Sequence, residues 1–149
     1  MSIIDFCNRN VVCAARDTTI VQAAIPMRQN HVGDLVVAEP VGERRKPIGK
    51  VTDRDIVVEV IAAGLDPQEL KLGDLLVGPL VTVSEKAGYA ETVRLTSING
   101  FRCVPVAGAA GDLIGIITLD DILRQLAGPL GQLAELTDRG RQHEIRMRA

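Results

Sequence analysis

The chain contains the stretch Ile48-Gly49-Lys50-Val51-Thr52-Asp53-Arg54-Asp55-Ile56 and, 66 residues later, the similar stretch Ile114-Gly115-Ile116-Ile117-Thr118-Leu119-Asp120-Asp121-Ile122. Positions 48, 49, 52, 55 and 56 are identical to their partners. Upstream, the offset between similar positions becomes 69, which pairs Asp5 with Asp74 and Val37 with Val106. The change of three residues falls near the charged tract 43–46, as expected of an exposed hairpin tip. The sequence therefore predicts two copies of one structural unit.

Each copy has the same predicted order of elements. A short extended segment (11–14 or 80–83) is followed by a helix that begins near capping residues, at 17–18 or 84–85. Two strands follow as a hairpin (34–38 with 48–52, 102–107 with 113–118), and a helix closes the unit (54–63 or 120–126). One unit alone would expose an apolar sheet face, which a second unit can cover. We therefore predict an α+β fold of two pseudo-symmetric β-α-β-β-α repeats packed through their sheets, with repeats at 3–64 and 72–128, a linker at 65–71 and a helical or frayed tail at 129–149.

Two prolines conflict with the helical pattern around them. Pro26 lies within the first predicted helix, where it predicts a kink or a shortened helix. Gly128 and Pro129 predict the end of the last helix. Beyond them, leucines at 130, 133 and 136 form an apolar stripe, and arginines follow. A frayed terminus is one reading of this tail, and a helix that binds a partner or braces a dimer is the other.

The composition excludes several classes of protein. The chain has 149 residues, 46% of them hydrophobic and 24% charged, with a net charge of −2. This balance predicts one folded domain rather than a disordered chain or a basic nucleic-acid binder. Neither a bilayer-spanning apolar run nor a secretory signal is visible, so we expect a cytoplasmic protein without a membrane partner. Three cysteines without a CxxC spacing and two histidines give poor support to a zinc site.

The repeated element is Gly-x-x-Thr-x-x-Asp at the junction between a strand and a helix. A Thr followed three residues later by an acid is the pattern of a capping box, which closes a helix N-terminus on itself. The same junction also suits a ligand, because free N–H groups attract phosphate and a carboxylate accepts ribose hydroxyls. Glycine upstream permits close approach of a ligand or of backbone. The duplication favours the ligand-binding reading, since two copies would place two such junctions in clefts between the repeats.

With these two motifs, each preceded by a β-α-β-β pattern, the chain resembles tandem cystathionine-β-synthase (CBS) domains, the Bateman module, of the small stand-alone bacterial type. The resemblance covers about residues 3–128. It implies a regulatory sensor that binds AMP, ADP, ATP, NAD or S-adenosylmethionine in two clefts between the repeats, acts as a dimer, and signals to an unidentified effector protein in trans.

The resemblance also implies a role for particular residues. Asp55 and Asp121 would hold ribose, and Thr52 and Thr118 would meet phosphate. The adenine in the Asp121 cleft would lie between Val11, Cys13, Val32 and Ile116, and the adenine in the Asp55 cleft between Leu80, Thr82 and Phe101. The positive side chains of Lys50, Arg54 and Arg102 favour a polyphosphate in the Asp55 cleft. The apolar wall at Ile116 favours an adenosine-like ligand in the Asp121 cleft.

Nothing in the sequence pairs a nucleophile with a base, so we predict no enzymatic activity. Two alternatives to a ligand sensor stay open. In the first, the motifs only cap helices and the chain is an interaction or scaffold module; Lys50 and Asp120, which place charge in the two clefts, favour this reading. In the second, Cys7, Cys13 or Cys103 acts as a thiol-based redox sensor.

Overall fold

The structure is a computed structural model that describes residues 2–148. The first repeat contains a three-stranded sheet of β1 (Cys13–Ala14), β2 (Asp34–Val41) and β3 (Arg44–Thr52), with helix α1 (Ile20–Asn30) between β1 and β2. The second repeat contains β4 (Val83–Ser84), α3 (Tyr89–Asn99), β5 (Cys103–Ala107) and β6 (Leu113–Thr118) in the same order. Each sheet is followed by a helix, α2 (Asp53–Asp55, continued by Ile56–Ile61) or α4 (Leu119–Arg148). The predicted α+β architecture of two similar repeats is confirmed.

The two sheets share their topology and a local irregularity. In each, the short first strand is parallel to the central strand, and the central strand is antiparallel to the last. The register shifts between Val37 and Ala38 in one sheet and between Val106 and Ala107 in the other, which are equivalent positions. The β2–β3 hairpin is longer than predicted and turns at residues 42–43, so most of the charged tract lies on β3 instead of in the tip.

The leading segment of each repeat packs on the other repeat. A 3-10 turn at Ile3–Asp5 places Ile3 in the core of the second repeat, and its N–H donates to the carbonyl of Ala87 at 3.1 Å. The equivalent turn at Leu72–Leu75 places Leu72 in the core of the first repeat, where its N–H donates to the carbonyl of Thr18 at 2.9 Å. The repeats of the sequence therefore exchange their first turns, and each core depends on both halves of the chain.

A third apolar cluster joins the two sheets. Its buried members are Val36 of β2, Cys103 of β5 and Ile116 of β6, and Val11, Cys13 and Leu113 pack against them. The two sheets thus cover each other's inner faces, as burial of apolar surface requires.

The motif glycines accommodate the exchanged segments. A Cβ on Gly49 would lie 2.2 Å from Leu76 Cδ2, and a Cβ on Gly115 would lie 2.7 Å from Cys7 Sγ. Cys7 and Leu76 are equivalent positions, each just after an exchanged turn. Because these two glycines have no side chain, another segment of the same chain can pack directly against them.

The helices depart from prediction in five ways. Helix α1 starts after its cap Thr19 and α3 after Gly88, both later than predicted. Helix α1 passes through Pro26 to Asn30, so the expected shortening does not occur; the Asn30 side chain donates to the Pro26 carbonyl at 2.8 Å. Helix α2 is π-helical from Ile56 to Ile61, and the Ala62 N–H donates to the carbonyl of Val57 at 2.8 Å.

The largest departure is the last helix. Gly128 and Pro129 do not end α4, which runs without interruption for 30 residues to Arg148. A proline removes one backbone hydrogen bond, and the leucines, alanines and glutamines around it are strong helix formers. Within residues 2–148, no helix is both long and apolar enough to cross a bilayer.

Candidate functional site

Both Thr-x-x-Asp motifs form capping boxes at helix starts. The Thr52 N–H donates to Asp55 Oδ2 at 2.8 Å, and the Asp55 N–H donates to Thr52 Oγ1 at 3.0 Å. The second box repeats these bonds at 2.9 and 3.2 Å between Thr118 and Asp121. Thr118 Oγ1 also donates to Asp121 Oδ2 at 2.6 Å. Each box uses only Oδ2 of its carboxylate, so the helix is capped while the other oxygen stays outside the box.

The first motif opens into a large cleft between the repeats. The cavity has a volume of about 1170 Å³ and takes its walls from both halves of the chain. Of the residues predicted for this site, it brings together Lys50, Thr52, Arg54, Asp55, Phe101 and Arg102. Its apolar walls come from Leu65, Leu70, Leu75 and Val77, together with Phe101.

A small crevice of about 130 Å³ adjoins this cleft, since Lys50, Val77 and Phe101 line both. Leu80, predicted as an adenine wall, lines the crevice rather than the main cleft. Thr82, predicted beside it, lines neither of these cavities.

The second motif borders a smaller cavity of about 390 Å³. Thr118, Ile116 and Val32 line it as predicted, and Val12 lines it in place of Val11. Val11 and Cys13 lie instead in the cluster between the sheets, because neighbouring residues of an extended segment face opposite ways. Asp121, which the resemblance assigned to this cleft, does not line the cavity. Its Oδ2 lies in the capping box, and its Oδ1 is 3.8 Å from the Arg124 guanidinium.

Arg102 is common to both cavities, as are Gly33 and Asp34. The carbonyls of Gly33 and Arg102 accept the first N–H groups of the two closing helices, from Asp53 at 2.9 Å and from Leu119 at 2.8 Å. The sequence assigned Arg102 to the Asp55 cleft alone. In the structure Arg102 lines both cavities, so the wall of the second cavity also contains a cationic residue.

The two clefts differ most at Lys50. Its ammonium donates to the Cys103 carbonyl at 2.9 Å, lies 3.7 Å from Asp34 Oδ1, and sits 5.2 Å from the centre of the Phe101 ring. Burial raises the pKa of Asp34, and the nearby Lys50 opposes that shift. In the second repeat the equivalent positions are Cys103 and Ile116, which are buried and apolar. A charged pair within the first repeat, whose lysine also bonds to the second repeat, therefore replaces the apolar residues of the other cleft.

Sequence reasoning missed the carboxylates of the first cleft. Asp34, Asp53, Glu59 and Asp74 line it in addition to Asp55, against the three cations Lys50, Arg54 and Arg102. A signal was present in the sequence, since Asp34 replaces Cys103 of the other repeat at the start of a central strand. The second cavity also includes Asn8, Asn10 and His31, which no repeated motif marks.

The cysteines lie in surroundings that oppose ionisation. Burial raises the pKa of Cys103 to about 12, and burial also raises the pKa values of Cys7 and Cys13. A reactive thiol needs a lowered pKa, so these environments do not favour the redox alternative. Among residues 2–148, no group of three or more His, Cys, Asp or Glu side chains is placed to hold a metal ion.

The sequence matches a known family and several known proteins. The model of the CBS domain family matches residues 3–62 and 72–128. An uncharacterized protein of Methanopyrus kandleri is 35% identical over 124 residues, which cover 83% of this chain and 62% of that protein. Hypoxic response protein 1 of Mycobacterium tuberculosis is 34% identical over 122 residues, and 82% of each chain is covered. The chain thus spans less than two thirds of the first relative and most of the second.

Solved structures share the fold. The crystal structure of Hypoxic Response Protein I with two coordinated zinc ions matches with a TM-score of 0.72 at 33% identity, covering 84% of this chain and 98% of that chain. A hexameric CBS-CP12 protein from bloom-forming cyanobacteria matches with a TM-score of 0.70 at 31% identity, covering 83% of this chain and 69% of that chain.

Proposed function

The chain belongs to the CBS-domain family as a tandem pair, and we propose that it is a regulatory sensor that binds an adenosyl ligand in the clefts between its repeats. The candidate ligands are AMP, ADP, ATP, NAD and S-adenosylmethionine. The observation that carries the proposal is the large cleft at the first motif, which combines a helix start, the carboxylate of Asp55 and an apolar wall. We assign no catalysis to the chain, and we infer that it acts on another protein in trans.

The first helix start offers the groups that a nucleoside phosphate needs. Asp55 presents Oδ1 for ribose hydroxyls while Oδ2 holds the cap. Phe101, Leu70 and Leu75 supply apolar surface for a base, and Arg54 and Arg102 supply positive charge for phosphate. Five carboxylates line the cleft against three cations. That charge balance favours a nucleoside or a monophosphate over a polyphosphate in this cleft.

Arg102 offers a route from binding to regulation. Because it lines both cavities, a phosphate in either one would recruit the same guanidinium. A ligand can shift a conformational equilibrium only when it binds two states unequally. We infer that the position of Arg102 distinguishes those states and that the ligands compete for it.

Self-association is part of the proposal. Apolar residues on α2 and its π-helical continuation are exposed, among them Val57, Val58 and Ile61, and the related CBS-CP12 protein is a hexamer. Exposed apolar surface of this kind is typical of an interface. We propose at least a dimer, and we expect the effector to read its arrangement.

An interaction module without a ligand is the second candidate. Lys50 favours it, because its ammonium is already bonded to the Cys103 carbonyl and paired with Asp34. In that case both motifs serve only as helix caps, and the apolar helix faces carry the function.

Thermal unfolding with each of the five ligands separates the two candidates. A ligand that binds the folded state raises the Tm. We expect at least one ligand to do so, and Asp55→Asn or Asp121→Asn to reduce the shift while leaving a cap acceptor in place. Asp5→Asn is the matched control, because Asp5 accepts the Ser2 N–H at 2.9 Å in a similar cap outside both clefts. A folded sample that responds to none of the ligands would favour the interaction module.

A further inference from the structure

The outer edges of the two sheets are paired differently. Asn8 bridges to Ile116 of β6, with hydrogen bonds of 2.9 and 2.8 Å between their backbone N–H and carbonyl groups. Val77 and Lys50 are the equivalent positions at the edge of β3, and within residues 2–148 no such bridge joins them. The other isolated bridges do obey the symmetry of the repeats: they join Ser2 to Gly88 and Thr19 to Lys71.

The missing bridge leaves a gap at the edge of β3. Val36 of β2 lies opposite Lys50, and the Val36 N–H donates to the carbonyl of Val12, on its other side, at 3.0 Å. Residues opposite each other in an antiparallel ladder either exchange both bonds or turn both away, so the N–H and carbonyl of Lys50 face outward. A crevice of about 130 Å³ is lined there by Lys50 and by residues 76–81. Val77 is 94% exposed beside it.

Residues 76–79, which we call the strap, turn away from β3 at a glycine. Gly78 has a left-handed backbone with a φ of +70°, whereas Arg9 at the equivalent position does not. Glycine adopts left-handed and ordinary backbone conformations about equally readily. A rotation of the backbone at Gly78 can therefore bring the strap back to β3 without a steric penalty at that residue.

The start of the strap already has the register that closure needs. Leu76 lies against Gly49 as Cys7 lies against Gly115. In the second sheet the Asn8 carbonyl also approaches, 3.1 Å from a Cβ added to Gly115, whereas the three atoms nearest Gly49 all belong to the Leu76 side chain. Only the residues after Leu76 therefore need to move.

The strap lacks a side-chain bond that holds its counterpart in place. Asn8 Oδ1 accepts the Asn10 N–H at 2.9 Å. Val77 and Pro79 cannot make this bond, because valine has no side-chain acceptor and proline has no N–H. Closure is therefore less favoured at the first sheet than at the second, which explains why the strap is open in this structure.

A strand from another molecule fits this edge less well than the strap does. Strand β3 begins with residues 44–47, Arg-Arg-Lys-Pro, and charged residues and proline on an edge oppose pairing with another chain. The gap is centred on Lys50 alone, and a single bridge from Val77 would fill it.

We propose that the strap is a hinged element with two positions. The open position is the one described above, and in the closed position Val77 bridges to Lys50 as Asn8 bridges to Ile116. Closure gives partners to the outward N–H and carbonyl of Lys50 and rotates the backbone at Gly78. Because Val77 lines the first cleft as well as the crevice, closure changes the wall of that cleft and not of the second cavity. The proposal does not depend on whether either cleft binds a ligand.

NMR of the full chain compares Gly78→Ala with the control Gly64→Ala. Both glycines have a φ of +70°, and nothing lies within 4 Å of a Cβ at either, so the two variants strain the backbone alike. Alanine disfavours the left-handed conformation by about 5- to 30-fold, which should shift the strap toward its closed position. The Lys50 amide is expected to exchange with solvent at least about 2-fold more slowly in Gly78→Ala alone. A nuclear Overhauser contact between the amide protons of Lys50 and Val77 is expected to accompany it.

A second variant copies the counterpart that is closed. Val77→Asn/Gly78→Arg/Pro79→Asn gives the strap the sequence Asn-Arg-Asn of residues 8–10. The Lys50 amide should then exchange at least about 10-fold more slowly than in the unmodified chain. Unchanged exchange at Lys50 in both strap variants, with no contact between the two amide protons, would overturn the proposal. Protection of Lys50 that grows with protein concentration would mean that a second copy pairs with this edge, and that result would also overturn it.

Discussion

Gly49→Ala tests the exchanged packing of the two repeats. The new Cβ would lie 2.2, 2.8 and 3.0 Å from Leu76 Cδ2, Cδ1 and Cγ. Carbon atoms pack best at about 3.5–4.0 Å, so the nearest contact is too short by about 1.3 Å. Leu76 is half-buried against the first core and can give way only in part. Overpacking of this kind costs about 1–3 kcal/mol of unfolding free energy, and in a chain of this size it lowers the Tm by about 2–12 °C.

The assay is urea unfolding of four variants. Gly131→Ala is the control, because nothing lies within 4 Å of its Cβ and it occupies an exposed position in α4. We expect it to be neutral or slightly stabilising. Leu76→Ala removes the atoms that clash, so the double variant Gly49→Ala/Leu76→Ala should be more stable than the sum of the single losses by about 1 kcal/mol or more. The reasoning about the exchanged segment is refuted if Gly49→Ala and Gly131→Ala have the same unfolding free energy. It is also refuted if the loss of unfolding free energy in the double variant equals the sum of the two single losses.

Three further predictions concern buried groups. Ile3→Ala should lower the unfolding free energy by about 2–5 kcal/mol in urea, because Ile3 fills the second core; a loss below about 1 kcal/mol would mean that the exchanged turn is dispensable. Lys50→Met should cost about 1–3 kcal/mol, since it removes a charged donor to a carbonyl and leaves the Asp34 carboxylate half-buried without its cation. Burial raises the pKa of Asp34 above its unfolded value and Lys50 opposes this, so the stability lost in Lys50→Met should grow as pH rises above about 4; a loss independent of pH would contradict the pairing. The pKa of Cys103 is raised from 9.0 to about 12, so this thiol should react with iodoacetamide at pH 8 at least about 1000-fold more slowly than a free thiol of the ordinary pKa. Alkylation of Cys103 in the native protein at the rate of a free thiol would contradict its burial. The same shift makes the folded state lose stability as pH rises from about 9 toward 12.

Local patterns in the sequence predicted most of the fold. The identities between 48–56 and 114–122 located both helix starts, and both capping boxes form as the Thr-x-x-Asp spacing implies. Strand β6 has the predicted bounds, and β5 begins one residue later than predicted. These features depend on residues a few positions apart, which is why a single sequence reveals them.

What the sequence did not predict depends on contacts between distant residues. Ile3 and Leu72 look like the first residues of their own repeats, and only the packed structure shows each in the opposite core. The sequence predicts close approach of a ligand or of backbone at Gly49 and Gly115. Backbone does approach Gly115, at the Asn8 carbonyl, together with the Cys7 side chain, whereas Gly49 faces the Leu76 side chain.

The site shows the same division between local and distant contacts. The motif residues of the Asp55 cleft line one cavity, whereas the assignment of walls failed to separate Val11 from Val12, which face opposite sides of one extended segment. The acidic character of the cleft was missed because Asp34, Glu59 and Asp74 come from separate elements.

Isothermal titration of the full chain with AMP, ADP, ATP, NAD and S-adenosylmethionine tests the central claim most directly. For at least one of them we predict saturable binding of one or two molecules per chain, abolished in Asp55→Asn/Asp121→Asn and preserved in Asp5→Asn. Heats of dilution alone for all five ligands, or binding that survives intact in the double variant, would contradict the claim that the clefts between the repeats receive an adenosyl group.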